Sequence, residues 1–245
     1  MSKFADIYGH EQIKEHLQNA IRLNKVSHAY IFNGPMGSGK KMTAGIFAET
    51  LQCERHGQEP CGTCHSCIQS ESGNQPDIIW VHHEKPGSIG VDDVREQVIG
   101  DMQIKPYSSR YKIYIIDEAE KLTQQAQNAL LKTIEEPPAY GIIILLTTNA
   151  DTFLQTILSR CVRLDFRPLR DTLVTQYLQE KYDLTDYECR FATAFAQGKI
   201  GRAVTIATSK EFAQLKEEVM HVIRYAKEMT TAEIMAEVKN IANYK

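Results

Sequence analysis

Apolar residues in the first two thirds of the chain alternate between helical spacing and short continuous runs, which predicts an α/β domain. Residues 10–24 carry Ile13, Leu17, Ala20 and Ile21 at helical spacing, so we predict an amphipathic helix there. Further helices are predicted at residues 40–51, 91–99 and 124–136.

Short apolar runs between these helices predict strands. They cover residues 29–33, 77–82, 111–116, 142–147 and 162–166. The run at 142–147 is continuously apolar up to its last residue, which is typical of a strand buried in a parallel sheet.

The pattern changes after Arg167 and Pro168. Residues 171–207 show only helical periodicity, and residues 211–242 continue it as one or two more helices. We therefore place a boundary near residue 167, between an α/β domain and a small helical domain.

Composition and charge narrow the classes of function. The 245 residues include 28 Lys and Arg against 31 Asp and Glu, a formal net charge of -3, which argues against a strong, autonomous nucleic-acid binder. The first six residues lack the layout of a secretion signal, and no apolar stretch approaches the about 18 residues of a membrane span. We expect a cytoplasmic protein whose six cysteines are reduced or metal-bound.

The segment from Gly34 to Lys41 matches a phosphate-binding loop except at its last position. The pattern is Gly, four residues, Gly, Lys and then Ser or Thr, and Lys41 stands where the hydroxyl belongs. Glycines let backbone N–H groups approach a phosphate, and Lys40 would meet its outer oxygens. The alternative is a glycine-rich turn without a ligand. The candidate binding residues are Gly34, Gly37, Ser38, Gly39, Lys40 and Lys41.

Lys41 changes the chemistry expected of this loop. The hydroxyl that normally holds Mg²⁺ is missing, and a protonated ammonium brings positive charge to the metal's position. Thr43 is no easy substitute, because two residues along a helix rotate a side chain by about 200°. We expect weak or no ATPase activity, while nucleotide binding stays open.

Polar residues follow two of the other predicted strands. Asp117 and Glu118 directly follow the apolar run 113–116. In phosphate-loop ATPases such an Asp holds Mg²⁺, while the Glu polarises the attacking water. Asn149 lies in the polar run 147–149, where it could sense a γ-phosphate. The alternative is that these strands simply reach a polar surface.

A cysteine cluster interrupts the pattern at residues 53–67. Three cysteines spaced by two residues, with a fourth earlier, suit a tetrahedral Zn²⁺ site. Four protein ligands leave no position for water, so its role would be structural. Unliganded thiols or an iron–sulfur cluster are the alternatives. The candidate ligands are Cys53, Cys61, Cys64 and Cys67.

These motifs, in this order, resemble the clamp-loader branch of the AAA+ ATPases over about residues 4–208. The segments that carry the resemblance, besides the loop and the cysteine cluster, are 4–10 (FADIYGH), 27–30 (SHAY), 128–138 (NALLKTIEEPP) and 157–161 (ILSRC).

The resemblance implies roles for further residues. Ile7 and Tyr8 would line an adenine pocket, and Arg202 would face the nucleotide as a second sensor. Arg160 would enter the site of a neighbouring subunit as an arginine finger, which stabilises charge in the transition state. The alternative for Arg160 is an exposed salt bridge.

The resemblance also implies a domain plan. Residues 1–167 would be an AAA+ phosphate-loop domain with a parallel sheet and an inserted zinc module at about 53–67. Residues 168–208 would be a helical lid. Residues 209–245 would be only the start of a helical collar, so we expect the chain to be truncated.

The implied partners are other clamp-loader subunits, the sliding clamp and primer–template DNA, without a membrane. The pair Lys40 and Lys41 favours a largely non-hydrolysing subunit over the ATP-hydrolysing motor subunit. A motor subunit, another self-sufficient AAA+ ATPase and an adaptor without a finger role are the alternatives.

Overall fold

The computed structural model describes residues 2–83, 85–226 and 228–242. The chain divides into two compact units between Leu169 and Arg170. The first unit contains a parallel sheet with the strand order β2-β3-β4-β1-β5. Its strands are β1 (Ala29–Asn33), β2 (Ile78–Val81), β3 (Lys112–Ile116), β4 (Gly141–Thr147) and β5 (Val162–Asp165).

The helices of the first unit pack around this sheet. They are α1 (Glu11–Arg22), α2 (Lys40–Gln52), α3 (His65–Glu71), α4 (Val91–Val94), α5 (Gln124–Glu135) and α6 (Gln155–Leu158). The described part of the second unit is helical, with α7 (Asp171–Lys181), α8 (Asp186–Ala196), α9 (Ile200–Thr208), α10 (Lys210–Tyr225) and α11 (Thr231–Ala242).

The three central strands are apolar because both of their faces are covered. All residues of β3 and β4 are buried, and residues 29–32 of β1 are buried with them. Successive side chains enter two cores on opposite faces of the sheet, as the alternation of a strand requires. Ile31 and Tyr114 belong to one core, and Phe32 and Ile115 belong to the other.

The structure differs from the sequence prediction mainly in short helical segments. The predicted helix at 91–99 is wrong in type beyond Val94, where a π-helix runs over Arg95–Gly100. The predicted strand at 77–82 is shorter, since β2 covers Ile78–Val81. The sequence pattern does not predict helices α3 and α6, because each is too short to show a clear apolar period.

Parallel pairing brings the carboxyl ends of three strands together. Asn33 is opposite Thr147 of β4 and Asp165 of β5, and its carbonyl accepts the N–H of Phe166 at 2.7 Å. The chain then turns at Gly34, which passes so close to Phe166 that no side chain would fit. A Cβ on Gly34 would collide with the backbone carbonyl of Phe166.

We therefore predict opposite effects for alanine at two glycines. Gly34→Ala should lower the free energy of unfolding by about 2 kcal/mol or more, because the obstacle is backbone that cannot move aside cheaply. Gly45→Ala should raise it by about 0.5–1 kcal/mol, because a Cβ there meets no atom within 4 Å and Gly45 lies in the interior of α2. Urea denaturation of the two variants measures both changes. Equal stability of Gly34→Ala and the unchanged chain would contradict this packing.

Candidate functional site

The phosphate loop connects β1 to the N-terminus of α2. Gly37 and Gly39 have φ angles of 78° and 93°, which glycine adopts without strain. Lys40 is the first residue of α2 and is only 9% exposed. Its ammonium group donates hydrogen bonds to the carbonyls of Gly34 and Pro35. The lysine of the motif is thus held by the loop's own backbone.

Burial affects the polar groups of this loop in two ways. Desolvation lowers the pKa of Lys40, although the carboxylates of Glu120 and Asp117 oppose the change. The hydroxyl of Ser38 is buried and has no hydrogen-bond partner among the described residues. The Ser38 carbonyl lies 3.2 Å from the Nε2 atom of His10. The loop therefore contains one buried cation and one unsatisfied hydroxyl.

Lys41 points toward the acidic end of β3. Its Nζ atom lies 3.1 Å from the Oδ2 atom of Asp117, and it also lies 5.2 Å from the centre of the Trp80 ring. Both side chains of the ion pair are partly exposed, so the pair contributes only about 0–1 kcal/mol to stability. The position of the ion pair is more important than its energy, because the ammonium of Lys41 occupies the carboxylate that would otherwise coordinate a metal ion.

Glu118 also forms an ion pair, with Lys121. Its backbone is left-handed, with a φ of 49°, and its Oε2 atom accepts a hydrogen bond from Lys121 at 2.7 Å. Lys121 also donates to the carbonyl of Pro86 at 2.7 Å, which fixes its direction. His83 lies 3.8 Å from the same Glu118 oxygen. A cavity of about 400 Å³ is lined by Lys41, Trp80, Val81, His82, His83, Asp117 and Glu118.

The end of β4 contains a contact that the sequence did not predict. The hydroxyl of Thr148 donates to Glu120, and its backbone N–H reaches the other oxygen of the same carboxylate at 3.3 Å. Burial acts to raise the pKa of Glu120, but the hydrogen bonds from Thr148 and Thr147 outweigh it and the pKa is lowered. The side-chain oxygen of Asn149 accepts the N–H of Asp151 at 3.0 Å. Thr148, rather than Asn149, therefore contacts the acidic segment that follows β3.

Asn33 is a second residue that the sequence reasoning missed. Its amide group donates to Asp165 at 2.6 Å, and its side-chain oxygen accepts the N–H of Ala150 at 3.1 Å. It thereby joins the ends of β4 and β5 to the end of β1. The signal that could have found it is a polar residue that ends an apolar strand directly before a glycine-rich loop.

Mg²⁺, which the fold implies, does not fit the residues present. The usual hydroxyl ligand is replaced by Lys41, and Asp117 is paired with that lysine. A divalent ion about 5 Å from the ammonium group would be repelled by about 2 kcal/mol even at the dielectric constant of water. The loop keeps the features of a phosphate site but lacks those of a metal site.

Arg160 lies at the surface just after α6. Its guanidinium pairs with Glu135 at 3.1 Å and donates to the carbonyl of Thr156 at 3.0 Å and to the hydroxyl of Ser159 at 3.2 Å. The side chain is nevertheless 40% exposed. These contacts fix the direction of the arginine while leaving part of it accessible.

The remaining predicted nucleotide contacts lie in different places. Ile7 is buried in the core of the first unit, and Tyr8 beside it is half-buried. Arg202 is exposed on α9, in the second unit. Within the first unit, the fold brings together the loop, Asp117 and Glu118 at one edge of the sheet.

The four cysteines of the cluster come together at the end of α2. Cys53 follows α2 directly, and Cys64 and Cys67 lie at the start of α3. All four sulfur atoms lie within 4.8 Å of one another, and those of Cys61 and Cys67 are 3.9 Å apart. Tetrahedral coordination with bonds of about 2.3 Å requires sulfurs about 3.8 Å apart. These residues could hold a metal ion.

Backbone N–H groups point at the sulfur atoms of this cluster. The N–H groups of Cys61, Cys64 and Cys67 reach the sulfurs of Cys53, Cys61 and Cys64 at 3.3–3.4 Å. Hydrogen bonds from the backbone of Thr63 and Cys64 lower the pKa of Cys61 to about 5. Such donors stabilise thiolates, which are the form that binds a metal.

The parallel sheet, the loop between β1 and α2 and the two acids after β3 define an AAA+ phosphate-loop protein. Residues 9–170 match the family model described as "DNA polymerase III, delta subunit". The chain belongs to this family.

Curated relatives include both kinds of subunit weighed above. The chain is 40% identical to DNA polymerase III subunit tau of Bacillus subtilis, over 74% of this chain and 32% of that protein. It is 38% identical to subunit tau/gamma of Haemophilus influenzae, over 83% of this chain and 30% of that protein. It is 34% identical to subunit delta' of Bacillus subtilis, over 83% of this chain and 61% of that protein. The chain thus matches less than two thirds of each of these relatives.

Solved structures show the same fold. A gamma-subunit-related protein of DNA polymerase III from Thermotoga maritima matches 92% of this chain and 77% of that chain, with a TM-score of 0.54 and 22% identity. The Holliday junction branch migration motor RuvB from Thermotoga maritima matches 95% of this chain and 69% of that chain, with a TM-score of 0.53 and 16% identity. Among the described residues, no helix is long and apolar enough to cross a membrane.

Proposed function

We propose that this chain is a delta-prime subunit of the DNA polymerase III clamp loader, which places the sliding clamp on primed DNA. One observation carries the choice of a non-hydrolysing subunit. The ammonium of Lys41 lies 3.1 Å from Asp117, where a motor subunit would have a hydroxyl and Mg²⁺. Relatives of both kinds have similar identity, so the choice rests on this residue.

The chain's own contribution to hydrolysis is Arg160. Its contacts with Glu135, Thr156 and Ser159 hold the guanidinium at the surface, and no residue of the phosphate loop is among them. An arginine in this position can enter the nucleotide site of a neighbouring subunit and stabilise the charge that develops on the phosphates. Glu135 would keep it directed until the neighbour arrives.

The proposed partners follow from this role. They are the gamma/tau motor subunit, the delta subunit, the sliding clamp and primer–template DNA, the last two contacted through the complex in the cytoplasm. Residues 168–208 would act as the lid that carries Arg202, and residues 209–245 would belong to the collar.

A gamma/tau-type motor subunit is the second candidate function. It rests on the likeness to tau/gamma and tau subunits, at 38% and 40% identity, which is close to the likeness to a delta' subunit. It requires Mg²⁺-dependent hydrolysis in a site where Lys41 occupies the metal's position. Phosphate release by the purified chain separates the two candidates, because a motor subunit turns over ATP and a delta-prime subunit does not.

We propose further that the cysteine cluster binds a structural Zn²⁺ ion. The near-tetrahedral spacing and the N–H donors support a four-thiolate site. When bound, the ion would join the end of α2 to α3 and leave no position for substrate.

Freshly purified protein should therefore contain about one zinc ion per chain, measured by elemental analysis. Cys64→Ser should lose most of this zinc and lower the melting temperature, because three thiolates bind the ion less tightly and the module depends on it. Cys161→Ser is the matched control, since Cys161 lies outside the cluster, and it should keep its zinc. Iron with visible absorbance, or a metal-free chain of normal stability, would show that the assignment is wrong.

Arg160→Ala should lower hydrolysis in the neighbouring motor subunit's site by about 10³-fold or more while the complex still assembles. The measurement is phosphate release by the reconstituted clamp loader with sliding clamp and primed DNA, with assembly followed by gel filtration. Arg163→Ala is the matched control, because Arg163 is an exposed arginine paired with Asp165. Full activity of the Arg160→Ala complex would remove the finger role.

A further inference from the structure

We infer that the phosphate loop binds a nucleoside di- or triphosphate without a divalent metal ion, because Lys41 supplies the positive charge at the metal's position. The inference deepens the proposed function and rests on the non-hydrolysing role assigned there. It concerns what the loop binds, and it is independent of Arg160.

The loop is built to receive an anion. The hydroxyl of Ser38 is buried, with 6% of the residue exposed, and has no hydrogen-bond partner among the described residues. A Cβ on Gly39 would meet no atom within 4 Å, so there is open space where the loop enters α2. The backbone N–H groups at that helix end add positive potential. A phosphate group would satisfy donors that are otherwise incompletely used.

Lys40 does not block this site permanently. Its ammonium is held by two neutral carbonyl oxygens, those of Gly34 and Pro35. Hydrogen bonds between a cation and an anionic oxygen are stronger than those to a neutral carbonyl. A phosphate can therefore draw Lys40 away from the loop backbone.

A bound metal ion usually separates the negative charges of the phosphates from nearby carboxylates, and here side chains of the chain itself can do this. A bound polyphosphate must be shielded from Asp117 and Glu118, since the third carboxylate after β3, that of Glu120, accepts hydrogen bonds from Thr148 at both oxygens. Asp117 is paired with Lys41 at 3.1 Å, and Glu118 is paired with Lys121 at 2.7 Å. Since each acid has its own cation, a metal ion is not needed to separate these carboxylates from phosphate oxygens.

The test is calorimetric titration of the full chain with ADP and with ATP, once in EDTA and once in excess Mg²⁺. The dissociation constant of the unchanged chain should differ by less than about threefold between the two buffers. Lys41→Thr restores the usual loop and frees Asp117, so it should bind at least about tenfold more weakly in EDTA than in Mg²⁺.

Two further variants locate the binding. Lys40→Ala should remove binding in both buffers, while Lys105→Thr, which removes an exposed lysine outside the loop, should change nothing. Absence of binding in both buffers, a requirement of the unchanged chain for Mg²⁺, or binding that survives Lys40→Ala would each overturn the inference. Mg²⁺-dependent binding without turnover would leave the proposed function intact, whereas turnover by the chain alone would refute that function as well.

Discussion

The close passage of the loop over the end of β5 is the constraint on which the candidate site depends. Asn33 pairs with Asp165, and the chain turns at Gly34 against the backbone of Phe166, where no side chain fits. This fixes the direction in which α2 leaves the sheet. Because the strands are parallel, the same edge also receives the acids that follow β3. The position of Lys41 beside the first of these acids is a consequence of these two fixed elements.

A single exchange at the start of α2 therefore changes the electrostatics around Asp117. With a hydroxyl at position 41, Asp117 would lose its cation and could attract a divalent ion, while Glu118 would stay paired with Lys121. With Lys41 and Lys121 present, each carboxylate is neutralised by a side chain of the same chain. The ion pairs add little to stability at this exposure. The effect of these ion pairs is instead on binding, because they change which ions and ligands the carboxyl end of the sheet can bind.

Continuous apolar runs made the sheet predictable, whereas the contacts of the candidate site were not. The predicted bounds of β1 agree with the structure, and those of β4 differ by one residue. Strands that are buried in a parallel sheet contain few polar residues, so their apolar runs are continuous and easy to recognise in the sequence. The π-helix at Arg95–Gly100 follows an α-helix without a change in composition, so no pattern marks it. The motif identifies Lys41 as unusual, but the partners of its ammonium are Asp117, which follows β3, and Trp80 of β2, and these appear only once the strand order is known.

The same reasoning explains why overall identity does not separate the two subunit types. Relatives of both kinds match 74–83% of this chain at 34–40% identity. The values of 40% to a tau subunit and 34% to a delta' subunit therefore do not decide between the two types. In our proposal, the difference in chemistry depends on whether position 41 carries a metal ligand or a cation. For that reason the ion pair between Lys41 and Asp117 is a better guide to function than either percentage.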